Sequence, residues 1–145
     1  MTKEEYDQIR TQFIKDVESV LLEAYKQTGY EWIVCPGTGG LRSISMQNKL
    51  YAKGRTESGD IVTNAKGGSS PHNFDLARDC YPCKVSGQPW FEAPNSLFQT
   101  FGKIAETVGL TWGGHFQSIK DWPHVEYRDW RRVRQAWLNK ELTFQ

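Results

Sequence analysis

Two short segments carry most of the side chains able to do chemistry. The first, Ser70-Pro71-His72-Asn73-Phe74-Asp75-Leu76-Ala77-Arg78-Asp79, offers an imidazole and a carboxylate with six residues between them. The second, Asp121-Trp122-Pro123-His124, offers another imidazole with a carboxylate three places before it. Hydrolytic zinc sites use three protein ligands and keep a fourth position for water. Such a metal polarises a carbonyl and makes its water acidic enough to attack at neutral pH. The chain has only three histidines, so few metal arrangements exist. There is no His-Glu-x-x-His helix, which excludes a thermolysin-type site. Spacing alone leaves two readings open, a metal site and a set of unconnected surface residues.

The elements around these segments can be read from periodicity. Thr2 and Glu5 have capping-box spacing. Tyr6, Ile9, Phe13, Val17, Leu21 and Ala24 then mark one apolar stripe of a long helix over 1–28, stopped at Thr28-Gly29. Its acidic opposite face fits a core-packing helix. Glu31 to Cys35 reads as a short strand and Pro36-Gly37-Thr38-Gly39-Gly40 as a flexible turn, since it lacks the Gly-Lys-Ser/Thr ending of a phosphate loop. A helix is expected over 44–53, then a long polar loop over 54–70 broken only by Ile61-Val62. Loops of that length in compact domains are functional or disordered, and this one runs straight into the first segment.

Residues 76–85 read as a strand with Asp79 and Cys80 on opposite faces. Asn95 is expected to cap a helix whose Leu97, Phe98, Phe101, Ile104, Ala105 and Val108 form its apolar face, closed by Gly109. Further strands are expected at 110–113 and 124–127, and an amphipathic helix over 129–142 with Trp130, Val133, Trp137 and Leu138 on one side. Helices and short hairpin-separated strands in this order predict an α+β fold, a small, mainly antiparallel sheet backed by helices. If the strands holding Asp79 and His124 are neighbours, His72, Asp79 and His124 converge.

Bulk properties narrow the function classes. A chain of 145 residues, 38% hydrophobic and 13% aromatic, fits one domain with a real core. A net charge of +1 excludes a broad basic surface for nucleic acid. Three cysteines form no disulfide framework and suit a reduced site of synthesis. No run approaches the roughly 18 apolar residues of a membrane span, and the first residues hold no apolar export segment. The expectation is synthesis in a (host) cytoplasm without a signal peptide, with release through a lesion made by another protein.

The first segment resembles the Ser-x-His-x-x-Gly-x-Ala-x-Asp motif of the zinc peptidases that include D-alanyl-D-alanine carboxypeptidases and L-alanyl-D-glutamate endopeptidases, whose fold is shared with the hedgehog signalling domain. Asp121-Trp122-Pro123-His124 is similar to that family's second motif. Leu41-Arg42-Ser43, Gln47 and Leu50-Tyr51-Ala52-Lys53-Gly54-Arg55-Thr56 resemble a third segment, and Trp112-Gly113-Gly114 the lead-in to the last. The likeness runs over 32–127 in the same order and looks closest to single-domain bacteriophage endolysins. It implies one Zn²⁺ per chain held by His72, Asp79 and His124. It implies Asp121 as the general base, taking a proton from the attacking water and passing it to the leaving amine. Arg42 matches the arginine that steadies the oxyanion, and Ser70 a serine that orients substrate or a ligand. The implied substrate is the stem peptide of bacterial peptidoglycan, cut by a monomer most simply between L-Ala and D-Glu. A D,D-carboxypeptidase or dipeptidase of the same family and a non-catalytic zinc-containing wall-binding domain stay open.

Two residues depart from the pattern. Asp75 stands at the motif's Gly, where a left-handed backbone suits Asp less well than Gly and its carboxylate could disturb the metal pocket. His115 stands where an acidic residue often follows the Gly pair and is expected to face solvent. Cys80-Tyr81-Pro82-Cys83 continues a strand rather than opening a helix, which fits neither a zinc knuckle nor a redox motif. The basic C-terminal helix is expected to cover the sheet, its arginines solvated and free to touch an anionic envelope weakly.

Overall fold

The computed structural model describes all 145 residues. Helix α1 spans Lys3–Thr28 and opens on the expected capping box, with the Thr2 hydroxyl accepting from the Glu5 N–H and the Glu5 carboxylate from the Thr2 N–H. It stops at Gly29, whose φ of 78° needs no Cβ. Strand β1 (Glu31–Val34), helix α2 (Ile44–Ala52), strand β2 (Ala77–Cys83), helix α3 (Asn95–Thr107), strand β3 (Thr111–Trp112), strand β4 (His124–Glu126) and helix α4 (Trp130–Leu138) follow. Short 3-10 turns at Pro71–Phe74 and Gly113–His115 precede β2 and follow β3.

The four strands form one antiparallel sheet in the order β1-β2-β4-β3. The order matters for the site, because it pairs β2 with β4 in a register that sets Asp79 opposite His124. A single apolar cluster holds the sheet and helices together: Phe13, Val17, Val20 and Ala24 of α1, Phe98, Phe101 and Ala105 of α3, and Trp130 and Val133 of α4. Trp32 of β1 stacks on Phe101 with ring centroids 5.0 Å apart. Each large aromatic side chain buried in this way removes apolar surface worth roughly 1.5–3 kcal/mol from water.

Two details differ from the sequence expectation. Asn95 is the first residue of α3 rather than its cap; Pro94 holds the cap position and no side chain accepts there. Proline pre-sets φ near the helical value and lacks the N–H that a helix start would leave unpaired. In α4 the inward side is Trp130, Val133 and Ala136, while Leu138 is 47% exposed. The apolar face of α4 is thus turned mainly to the core. No helix is long and apolar enough to cross a membrane.

Candidate metal centre

Each of the three predicted ligands comes from a different local device. His72 sits in the 3-10 turn Pro71–Phe74, which Ser70 caps: its hydroxyl accepts from the His72 N–H at 3.3 Å. The His72 ring is 2% exposed, and its Nδ1 donates to the Gly40 carbonyl at 2.8 Å, which turns Nε2 toward Asp79. Asp79 stands in the middle of β2 with its N–H on the Gly39 carbonyl (2.8 Å) and its carbonyl accepting from Cys35 (2.8 Å). The Gly-rich turn expected to be merely flexible therefore supplies one carbonyl to each of two predicted ligands. A Cβ on Gly39 would collide with Cys35, so the turn needs that glycine.

His124 opens β4 with its ring 5% exposed. Its Nε2 lies 2.8 Å from Glu126 Oε1, and its Nδ1 faces Asp79 Oδ1 at 3.2 Å. Glu126 also accepts from the Trp130 indole N–H at 2.7 Å. The turn leading into His124 is fixed by Gly113, whose carbonyl accepts from the Asp121 N–H (2.9 Å) and where a Cβ would meet Asp121 and His124.

The donor set fits a zinc ion. One donor atom from each of His72, Asp79 and His124 lies within 4.8 Å of the other two. The His72–Asp79 and His124–Asp79 pairs stand 3.4 and 3.2 Å apart. Tetrahedral nitrogen and oxygen ligands around zinc stand about 3.4 Å apart. The ring nitrogens facing away from this point are each held by an oxygen, Gly40 for His72 and Glu126 for His124, the outer partners that fix ring orientation in metal sites.

The electrostatics agree. Burial works against ionisation of Asp79, but hydrogen bonds from His124 and His72 overcome it and hold the carboxyl well below its usual range. Burial also opposes a charge on His124, yet Asp79 and Glu126 push it up to about 10 in the metal-free protein. A cation belongs at this point, whether a proton or a metal ion.

Asp121 lies on the open side, its Oδ2 3.7 Å from His124 Nδ1. Its side chain is 45% exposed, but it opens into a concave cleft rather than bulk water. Desolvation in that cleft raises its pKa, opposed by His124 and reinforced by Asp79. The cleft encloses about 590 Å³ and is walled by residues 62–65, by 69–72 and by Phe116, Ser118 and Ile119. Phe116 packs near the His124 ring, centroids 5.6 Å apart.

Arg42 borders the same cleft, and its Nη2 donates to Asp79 Oδ2 at 2.8 Å. Its Nε donates to Thr38 and its Nη1 to Gln47 Oε1. These three bonds leave two of its five N–H groups without a protein acceptor. Gln47, fully buried, carries the connection onward by donating to the Ala65 carbonyl at 2.9 Å. The loop over 54–70 is thus fastened to Asp79 through two side chains. Arg55 adds bonds to the carbonyls of Tyr51 and Thr63.

Asp75 adopts φ 58°, ψ 34°, the left-handed conformation its motif position suggested. Its carboxylate does not enter the metal pocket. It is clamped by Arg10 of α1 and by Arg78 Nη1 at 2.7 Å, tying the first helix to the ligand-bearing loop. His115 is 70% exposed and paired with Glu106, as a solvent-facing residue should be. All three cysteines are free thiols, and burial pushes Cys80 and Cys83 up, away from the reactive thiolate.

Sequence reasoning missed Glu126 and the carbonyls of Gly39 and Gly40. A signal for Glu126 existed: in a strand, residues two apart share a face, so His124-x-Glu126 brings its carboxylate to the ring.

A small antiparallel sheet carrying Asp79 and His124, with His72 brought in by the adjoining 3-10 turn and the Asp121 carboxylate beside them in one cleft, is the arrangement of a metallopeptidase. Comparison with known proteins makes the class specific. Residues 63–127 match a family profile described as D-alanyl-D-alanine carboxypeptidase. Over 120 residues the chain is 35% identical to peptidoglycan L-alanyl-D-glutamate endopeptidase CwlK of Bacillus subtilis, covering 78% of this chain and 70% of that protein. Two solved structures share the fold. The Serratia marcescens L-Ala D-Glu endopeptidase ChiX has a TM-score of 0.57 at 17% identity, covering 92% of each chain. The E175A mutant of the vancomycin-resistance D,D-pentapeptidase VanY, in complex with Zn(II), has a TM-score of 0.56 at 14% identity, covering 91% of this chain and 82% of that one. The chain belongs to the D-alanyl-D-alanine carboxypeptidase family of zinc metallopeptidases.

Proposed function

We propose that the protein hydrolyses the stem peptide of bacterial peptidoglycan between L-alanine and D-glutamate. The observation that carries this reading is the 35% identity over 120 residues to an enzyme of that name, in a chain whose own ligand set and cleft are complete. His72, Asp79 and His124 hold one Zn²⁺. When bound, the ion supplies Lewis acidity, polarising the scissile carbonyl and acidifying the water that attacks it.

The remaining work falls to the chain's own groups. Asp121 accepts the proton of the attacking water and delivers it to the leaving amine, and a pKa raised by the cleft suits both halves of that task. The two N–H groups that Arg42 keeps free are donors for the developing oxyanion, on a guanidinium already locked against Asp79. Ser70 acts on a ligand, fixing the His72 backbone through its hydroxyl. Residues 1–145 act together as one peptidase domain, the helix over 1–28 joined to the catalytic core over 32–127 by Asp75 and the shared apolar cluster. We assign the protein to cell lysis as a monomeric phage endolysin, on the likeness of its motifs to that group.

The test is Asp121→Ala. The variant keeps about one zinc per chain while hydrolysis falls by roughly a hundredfold or more; digestion of cell walls at the normal rate refutes the assignment of the base. His72→Ala loses both metal and activity.

A further inference from the structure

The cleft is not uniformly acidic. Its acidic groups are all engaged near the ligands: Asp79 with Arg42, Glu126 with His124 and Trp130, and Asp121 beside His124. The same cavity is also lined by Arg128, two residues before α4, and Arg131, in the first turn of that helix. Both are exposed, and neither enters an ion pair. They differ in this from the other arginines nearby, since Arg42 is committed to Asp79 and Arg134 to the Gly68 carbonyl. Arg131 is also not a loose surface chain. Its guanidinium lies 4.6 Å over the ring of Trp130, itself buried and anchored on Glu126. Stacking of this kind pre-sets a guanidinium and reduces the side-chain freedom lost when it binds a carboxylate.

We propose that Arg128 and Arg131 form a carboxylate subsite that reads the free carboxyl of the glutamyl residue on the leaving side of the cut. This rests on the L-alanyl-D-glutamate reading above. Glutamate has two carboxyls and a peptide chain consumes only one, so whichever enters the backbone, the other remains as an anion a few bonds from the scissile nitrogen. A substrate that brings a negative charge to a cleft already rich in carboxylates needs a cationic wall to receive it, and these two guanidiniums are the uncommitted ones in the cavity. Paired N–H donors match a carboxylate in geometry as well as charge.

The test compares two synthetic stem peptides, one with free D-glutamate and one in which that carboxyl is an amide. The wild type is expected to cleave the acid with a kcat/KM about tenfold to a hundredfold above the amide. In Arg128→Gln/Arg131→Gln the ratio falls toward one through a higher KM for the acid, with kcat and zinc content unchanged. Arg131→Lys, which keeps charge but not the planar fork, is expected to recover part of the ratio. A ratio near one in the wild type, or a ratio that survives in the double variant, overturns the subsite and leaves the endopeptidase assignment standing. Failure of the wild type to cut either peptide after alanine overturns that assignment, and the subsite with it.

Discussion

Replacing Glu126 tests whether the site is held by more than its three ligands. Glu126 is 8% exposed and serves two donors, His124 Nε2 at 2.8 Å and Trp130 Nε1 at 2.7 Å. Glu126→Gln keeps the shape but offers only one oxygen, and its amide N–H groups face a partner that also donates. One buried donor is then left without an acceptor, which costs about 1–3 kcal/mol. Glu126→Ala removes the partner of the His124 ring outright, and the Nδ1 of that ring must stay aimed at the point it shares with Asp79 and His72. Loss of an outer partner of this kind lowers metal affinity by about tenfold to a hundredfold. Glu126→Ala, which strands both donors and opens a cavity, is expected to lower the melting temperature as well. Competition against a chelator of known zinc affinity reads the first effect and thermal unfolding of the metal-free protein the second. Zinc affinity of Glu126→Ala within about twofold of the wild type would refute the claim that Glu126 orients His124.

Three further outcomes follow from the same geometry. Gln47→Met removes both the acceptor for Arg42 and the donor to Ala65; KM is expected to rise as the cleft wall at 62–65 loosens, with a stability loss of about 1–3 kcal/mol by denaturant unfolding, and an unchanged KM contradicts the link. Asp75→Gly relieves a left-handed backbone worth about 1–2 kcal/mol but strands Arg10 and the largely buried Arg78; the melting temperature is expected to fall with zinc affinity unchanged, and a rise would mean the clamp contributes less than the backbone relief. The third concerns pH. His124 is raised to about 10 in the metal-free fold, above an unfolded value of about 6.5. Its stabilising charge is therefore fully present below about pH 6.5 and lost as pH climbs toward 10. Zinc must displace that proton, so its affinity is expected to increase between about pH 6 and about pH 8 while the metal-free protein becomes less stable over the same window; chelator competition at several pH values that gives a flat line contradicts this.

The parts of the site carried by side-chain type and spacing are legible in the sequence itself. His72, Asp79, Asp121 and His124 stand out by motif, and the strands expected around 79 and 124 need the neighbouring pair that β2 and β4 form. The Thr2–Glu5 box and the stop at Gly29 are equally plain, because a few adjacent residues decide them. What escapes such a reading is held by the backbone or by distant partners. Gly39 and Gly40 act through carbonyls, which every residue possesses, so no residue type marks them. Asp75 gives its conformation away but not its destination, since Arg10 is 65 positions earlier. For Arg42 the motif suggests the oxyanion, and the fold adds a tie to Asp79 that only the packing of the Gly-rich turn against β2 creates. Helical spacing places Leu138 inward, but α4 ends there and the core contact falls to Ala136.

The bond that is cut is the centre of the account, and mass spectrometry of peptidoglycan fragments after digestion with the zinc-loaded protein reads it directly. The endopeptidase assignment predicts fragments with new L-alanine C-termini paired with fragments beginning in D-glutamate, absent when zinc is chelated. Release of terminal D-alanine with the alanyl-glutamate bond intact would contradict it and make the protein a carboxypeptidase of the same family.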